Sequence, residues 1–161
     1  MDNLILIAAI GKNNELGKNN SLIWYLPNDL KNFKENTINH TVVMGYNTFK
    51  SLPKVLPNRK NIVLTSKNVD LGSEVLIFND IELLKQYINS TNELVFVIGG
   101  SSMYNYFINY ANTMLLTEIE ASDKDADVYF PKFDINEWYR TILKENNDNG
   151  IKYKHVKYRR K

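Results

Sequence analysis

The sequence predicts an α/β fold: a mostly parallel central sheet of about eight strands, an antiparallel C-terminal edge, and helices on both faces. Two observations predict it. As far as about residue 120, short apolar runs alternate with amphipathic segments, as in strands joined by crossover helices. Beyond that point strand-like runs follow one another across turn residues, as in an antiparallel hairpin. The 161 residues are 43% hydrophobic and 24% charged, which fits one domain, 1–161, able to bury a core. No internal repeat, low-complexity stretch or linker divides it.

Each element has a local reason. Leu4 to Ile10 is apolar throughout and short, which reads as a strand buried on both faces. Gly11 to Asn20 is polar and reads as a loop. Pro27-Asn28-Asp29 opens a helix, with Asn28 as its expected cap and Leu30, Phe33 and Thr37 on one face. Thr41 to Met44 is a second strand, ended by Gly45, and Tyr46 to Leu52 a short helix stopped by Pro53. Asn61 to Thr65 and Glu74 to Phe78 are further strands. Asp80 to Ser90 is a helix with Ile81, Leu84 and Ile88 along its apolar stripe. Leu94 to Ile98 is the strongest strand and runs into Gly99-Gly100-Ser101-Ser102, after which Met103 to Asn109 reads as a helix. Thr113 to Ile119, Trp138 to Lys144 and Tyr153 to Arg159 are the last strands, with a turn at Asn146 to Gly150.

Composition excludes several function classes. There is no cysteine, hence no disulfide scaffold, thiolate metal site or cysteine nucleophile. His40 and His155 lack metal-ligand spacing, so no metal site is assigned. Net charge is +2, but the last ten residues carry six basic side chains and no acidic one, leaving the rest at −4. So acidic a body is a poor nucleic-acid binder, and the tail reads as the solvated face of an edge strand. The apolar run at Leu4 is far too short to span a membrane and follows Asp2 rather than a basic stretch, so a soluble cytoplasmic protein is expected.

In open α/β sheets ligands bind beyond the carboxyl ends of the strands. Three loops there carry donors: Gly99-Gly100-Ser101-Ser102, Thr65-Ser66-Lys67 and Gly45-Tyr46-Asn47-Thr48. Each alone is equally an ordinary turn or polar loop; side by side they would form a long anionic site. GxGxxG and GxxxxGK[ST] are both absent. Asp29 is either a helix-dipole acid or, given Trp24, Tyr25, Leu26, Leu30 and Phe33 around it, a partly buried functional carboxylate. Arg59 is locally either a surface charge or a carboxylate fork.

Together the residues resemble the dihydrofolate reductase family, of the bacterial chromosomal type, over nearly the whole chain. The marks are Ile7-Ala8-Ala9, Trp24 to Lys34, Val43-Met44-Gly45, Leu56 to Asn61, Leu64-Thr65-Ser66, Val97-Ile98-Gly99-Gly100 with Tyr104, Leu116-Thr117 and Asp127 to Pro131. The resemblance implies NADPH-dependent reduction of 7,8-dihydrofolate to tetrahydrofolate, with hydride passing from nicotinamide C4 to pterin C6 and a water-borne proton reaching N5. It implies a monomer whose partners are dihydrofolate and antifolate inhibitors, supplying one-carbon metabolism.

The implied catalytic set is Asp29, Thr117, Trp24 and Leu22. Asp29 would accept from the pterin 2-amino group and N3, and Thr117 would hold Asp29. Ile7, Leu30, Phe33, Leu52, Leu56 and Ile98 would wall the substrate, Arg59 would clamp the glutamate α-carboxylate, and Lys34 and Lys54 would assist. The cofactor would lie along Ala9, Leu16, Gly17, Lys18, Asn19, Asn20, Ser21 and Leu22, with Gly17 to Ile23 as the loop that closes over the nicotinamide, then along Gly45, Tyr46, Asn47 and Thr48. It would continue along Leu64, Thr65, Ser66 and Lys67, and along Ile98, Gly99, Gly100, Ser101, Ser102, Met103 and Tyr104. The Gly99–Gly100 bond would be cis. Ile23, Tyr46, Ser101 and Ser102 depart from the family pattern; Lys67 with Thr65 and Ser66 would replace the basic residues missing at Tyr46 and Ser102. Two other readings differ in substrate or class: a riboflavin-pathway reductase, and a nucleic-acid-binding domain.

Overall fold

A computed structural model describes residues 1–161. Ten strands and four α-helices follow one another: β1 (Leu4–Ile10), β2 (Glu15–Gly17), α1 (Pro27–Thr37), β3 (Thr41–Gly45), α2 (Tyr46–Ser51), β4 (Lys60–Leu64), β5 (Val75–Phe78), α3 (Ile81–Ser90), β6 (Val95–Gly99), α4 (Ser101–Phe107), β7 (Thr113–Ile119), β8 (Val128–Tyr129), β9 (Trp138–Asp148) and β10 (Ile151–Arg160). Eight strands form one sheet in the order β5-β4-β3-β6-β1-β7-β10-β9. The pairs from β5 to β7 are parallel; β10 runs antiparallel to both β7 and β9. This is the predicted architecture.

The apolar runs are continuous because both faces of the central strands are covered. Leu4, Leu6, Val95 and Val97 pack with Leu84 and Ile88 of α3 and Met103 and Phe107 of α4. Ile7, Val42, Met44, Val63 and Phe96 face the other way, toward Phe33 of α1 and Phe49 of α2. Each such side chain contributes about 1.5–3 kcal/mol on full burial. No helix is long and apolar enough to cross a membrane.

Four local expectations need correction. The segment Gly11 to Asn20 is not all loop: β2 pairs with β8, two short strands that hydropathy does not reveal. Glu15 explains the pairing, because its carboxylate is buried and accepts from the backbone N–H groups of Asn13 and Asp123, both at 2.7 Å. Asn28 does not cap α1, which begins after Leu26; its amide and its backbone N–H both bind Asp148 instead. The late turn is only Asn149-Gly150, both at positive φ, so β9 and β10 extend into the polar residues assigned to it. Finally, α4 starts at Ser101, directly after the glycine pair.

Candidate active site

A cavity of ≈ 1350 Å³ opens at the carboxyl ends of β1, β3, β4 and β6. That exceeds the roughly 300–1,000 Å³ of a site for one drug-sized ligand, so there is room for two molecules side by side. The topology explains the position. β1 lies between β6 and β7, so the connections on its two sides leave in opposite directions and open a crevice there.

Asp29 is the carboxylate on the otherwise apolar wall of this cavity. The first turn of α1 carries it, and its side chain is 16% exposed. Thr117 Oγ1 donates to Asp29 Oδ1 at 2.6 Å, and His155 Nε2 lies 3.0 Å from the same oxygen. Oδ2 takes no hydrogen bond from the protein. Thr117 stands across β7 from Ala9 on β1 and from His155 on β10, so the three form one row across the sheet. Ile7, Leu30, Phe33, Leu52 and Ile98 line the wall beside Asp29.

The three strand-end loops converge as predicted: Gly45, Tyr46, Asn47 and Thr48, then Leu64, Thr65, Ser66 and Lys67, then Gly99 to Tyr104 all line the same cavity. The Gly99–Gly100 bond is cis. Gly99 sits at φ +140°, and a Cβ there would stand 2.9 Å from Thr48 Oγ1, so only glycine leaves this backbone clear. Tyr46 is flanked by two cations, with Lys50 Nζ at 5.0 Å and Lys67 Nζ at 5.1 Å from its ring centroid. Ala9, Leu16, Gly17, Lys18, Asn20, Ser21 and Leu22 close the remaining side. Asn19 is not part of the lining; its backbone N–H is held by Asp127. Tyr104 is buried, its hydroxyl donating to the Ile7 carbonyl at 2.7 Å, and burial pushes its phenol well above the ordinary value.

A profile of the dihydrofolate reductase family matches residues 3–160. The chain belongs to the dihydrofolate reductase family. It is 39% identical over 147 residues to the dihydrofolate reductase of Buchnera aphidicola subsp. Acyrthosiphon pisum, covering 90% of this chain and 89% of that relative. It is 36% identical over 160 residues to that of Bacillus subtilis, covering 96% and 93%. Among solved structures, the dihydrofolate reductase from Enterococcus faecalis complexed with NADP(H) and RAB-propyl superposes with a TM-score of 0.88 at 31% identity, covering 98% of this chain and 95% of that one.

Against the positions that the dihydrofolate reductase pattern assigned, five further residues lie outside the cavity lining. Trp24 packs with Leu26, Ile119 and Tyr153. Leu56 packs with the core cluster around Val42 and Met44. Lys34 and Lys54 are exposed side chains beyond the rim. Arg59 sits in a separate, smaller cleft with Asn39, His40 and Glu93. Its Nε donates to the Pro57 carbonyl at 2.9 Å and its Nη1 to Thr37 Oγ1 at 3.1 Å, and burial lowers the guanidinium from its ordinary value.

Sequence reasoning missed His155 as a site residue. It also missed Leu143, Lys144 and Val156, which line the cavity from β9 and β10. The one usable signal was register: a strand returning antiparallel beside Thr113 to Ile119 sets some residue of the basic tail opposite Thr117.

Proposed function

We propose that this chain reduces 7,8-dihydrofolate to 5,6,7,8-tetrahydrofolate with NADPH, and that Asp29 is the group that binds and activates the pterin. The observation that carries the reading is the placement of one hydrogen-bonded carboxylate on an apolar wall, inside a cavity whose other arm is lined by the glycine turn and by Tyr46 with the Lys67 ammonium over its ring.

Asp29 accepts from the pterin 2-amino group and N3, two donors that match one carboxylate. Thr117 fixes the carboxylate so that binding does not have to order it first. Ile7, Leu30, Phe33, Leu52 and Ile98 enclose the ring and the aminobenzoyl group and exclude water, which strengthens the Asp29 field at the reacting atoms. That negative field raises the proton affinity of N5, which takes its proton from water. To receive the glutamate end Arg59 leaves its contacts with the Pro57 carbonyl and Thr37 Oγ1 in the separate cleft, and the exposed Lys34 and Lys54 assist.

Ala9, Thr48, Thr65, Ser66, the glycine pair and the α4 start hold NADPH, with Lys67 and Lys50 set for its 2′-phosphate. When bound, NADPH supplies the hydride that the pterin gains at C6. Leu22 and the rest of the loop from Leu16 cover the reacting rings. The proposal includes one functional unit, 1–161, acting as a monomer in the cytoplasm and feeding one-carbon metabolism. Its partners are small molecules, antifolates among them, rather than nucleic acid.

The test is the fall of NADPH absorbance on adding dihydrofolate to the purified protein, with Asp29→Asn beside it. Loss of two charge-assisted bonds predicts a fall of about a hundredfold near neutral pH, partly regained in acid where the pterin arrives protonated. An undiminished Asp29→Asn rate rejects the role of Asp29. No oxidation of NADPH by the wild type rejects the activity.

A further inference from the structure

We propose that His155 is a positioning residue of this site: with Thr117 it clamps Oδ1 of Asp29 and turns Oδ2 to the ligand. The inference rests on the reading of Asp29 as the pterin-binding group.

The clamp is built by the sheet. His155 and Thr117 are directly opposed on β10 and β7, so both side chains rise from the same face, one strand apart. Both reach Oδ1, at 3.0 and 2.6 Å. An ionised carboxylate only accepts, so Nε2 carries the proton in this contact. The imidazole is 10% exposed and borders the cavity, while Nδ1 makes no hydrogen bond within the protein. Register accounts for its aim. β10 runs unbroken against β7, with His155 opposite Thr117 and Val156 opposite Leu116. Val156 turns into the core with Leu116 and His155 to the other face, toward Asp29, so both are buried.

Groups from α1, β7, β9 and its own strand surround the imidazole. From α1 it faces Asp29, and from β7 the uncharged Thr117. On its own strand the Tyr153 ring stands 5.5 Å away. Burial first, and the neighbouring Asp148 second, push that phenol well above its ordinary value, so it stays neutral through the working range. From β9 come Lys144, the cross-strand partner of His155, and Asp148. Burial acts against the Asp148 charge, but the two bonds from Asn28, with Tyr153 and the nearby imidazole, outweigh it and hold that carboxyl below its ordinary range. Asp148 therefore stays charged. The Nε2 bond at 3.0 Å orients the Asp29 carboxylate.

The experiment compares wild type, His155→Phe and His155→Gln in hydride transfer with NADPH and dihydrofolate. Phe removes the bond, while Gln keeps a donor. At pH 8, His155→Phe is expected to lower kcat/KM for dihydrofolate about tenfold without moving the KM for NADPH, and His155→Gln to recover most of the loss. The chain has two histidines, so ring-proton NMR gives a second reading: added folate is expected to shift the His155 signal and leave His40, in the other cleft, in place. An active wild type whose variants keep its kcat/KM for dihydrofolate overturns the positioning role alone. A wild type that does not oxidise NADPH with dihydrofolate overturns the proposed activity, and this role with it.

Discussion

Asp148 and Asn28, 120 residues apart in sequence, are joined twice: Oδ2 accepts from the Asn28 backbone N–H at 3.0 Å and Oδ1 from its side-chain amide at 2.7 Å. The tie runs from the end of β9 to the first turn of α1, the turn that carries Asp29. It therefore fixes α1 to the hairpin that carries His155. The folded carboxyl of Asp148 lies below its unfolded value of about 3.9, so its stabilisation is full above that pH and fades as pH falls through the folded value. Asp148→Asn is expected to lower Tm at pH 7, with the wild-type advantage shrinking as pH drops below 4. Tm measured from pH 7 to 3 for both proteins checks this; a gap that does not narrow in acid contradicts it.

Glu15 does for the β2–β8 pair what Asp148 does for α1. Its two oxygens take the backbone N–H groups of Asn13 and Asp123 in a buried setting. Glu15→Ala leaves both donors without a partner and is expected to cost about 3 kcal/mol, a Tm fall of about 10 °C. Gly11 makes room for this carboxylate: a Cβ there would lie 2.5 Å from Glu15 Oε1 and 2.7 Å from the Trp24 ring. Gly11→Ala should therefore destabilise through the same contact, and the double variant should lose less than the sum of the two. Thermal melts of all three proteins measure this, and strict additivity would refute the shared contact.

The fold was legible because its central strands are apolar on both faces: Leu4 to Ile10 and Leu94 to Ile98 admit little else at their length. The cofactor arm was legible for a different reason. Gly99-Gly100 and Thr65-Ser66-Lys67 each follow a strand directly, so topology alone brings them together. What stayed hidden depends on register and on long-range polar pairing. His155 looked like part of a basic tail, and only its place opposite Thr117 makes it a neighbour of Asp29. Glu15 looked like loop charge, since no local pattern announces that two distant backbone amides will bury it. Asn28 had the right type and place for a cap, but a carboxylate 120 residues away takes its donors.

Thr117 offers the cleanest separation of orientation from charge. Thr117→Val keeps the volume and removes only the donor, leaving His155 as the sole protein partner of Asp29 Oδ1. Hydrogen bonds to ionised groups contribute about 1.5–3 kcal/mol, so kcat/KM for dihydrofolate is expected to fall by about tenfold or more. The KM for NADPH should hold. Steady-state kinetics with each substrate varied in turn checks the split; an equal rise in both KM values would mean that the strand itself had shifted.

Lys67 and Lys50 approach the Tyr46 ring from neighbouring elements, 5.1 and 5.0 Å from its centroid. A 2′-phosphate there meets two ammonium groups held by an aromatic ring in place of a fixed guanidinium. Ammonium groups act as point charges with little directional demand, so the pair should work additively and be screened by salt. Lys67→Ala is expected to lower the preference for NADPH over NADH about tenfold, Lys50→Ala less, and the double variant most. NADH kinetics should barely move, because the affected charge meets only the phosphate that NADH lacks. Measured at low and at high salt, the wild-type preference should itself shrink toward that of the variants. A preference that ignores both lysines and salt would put 2′-phosphate recognition on the Thr65 and Ser66 hydroxyls instead.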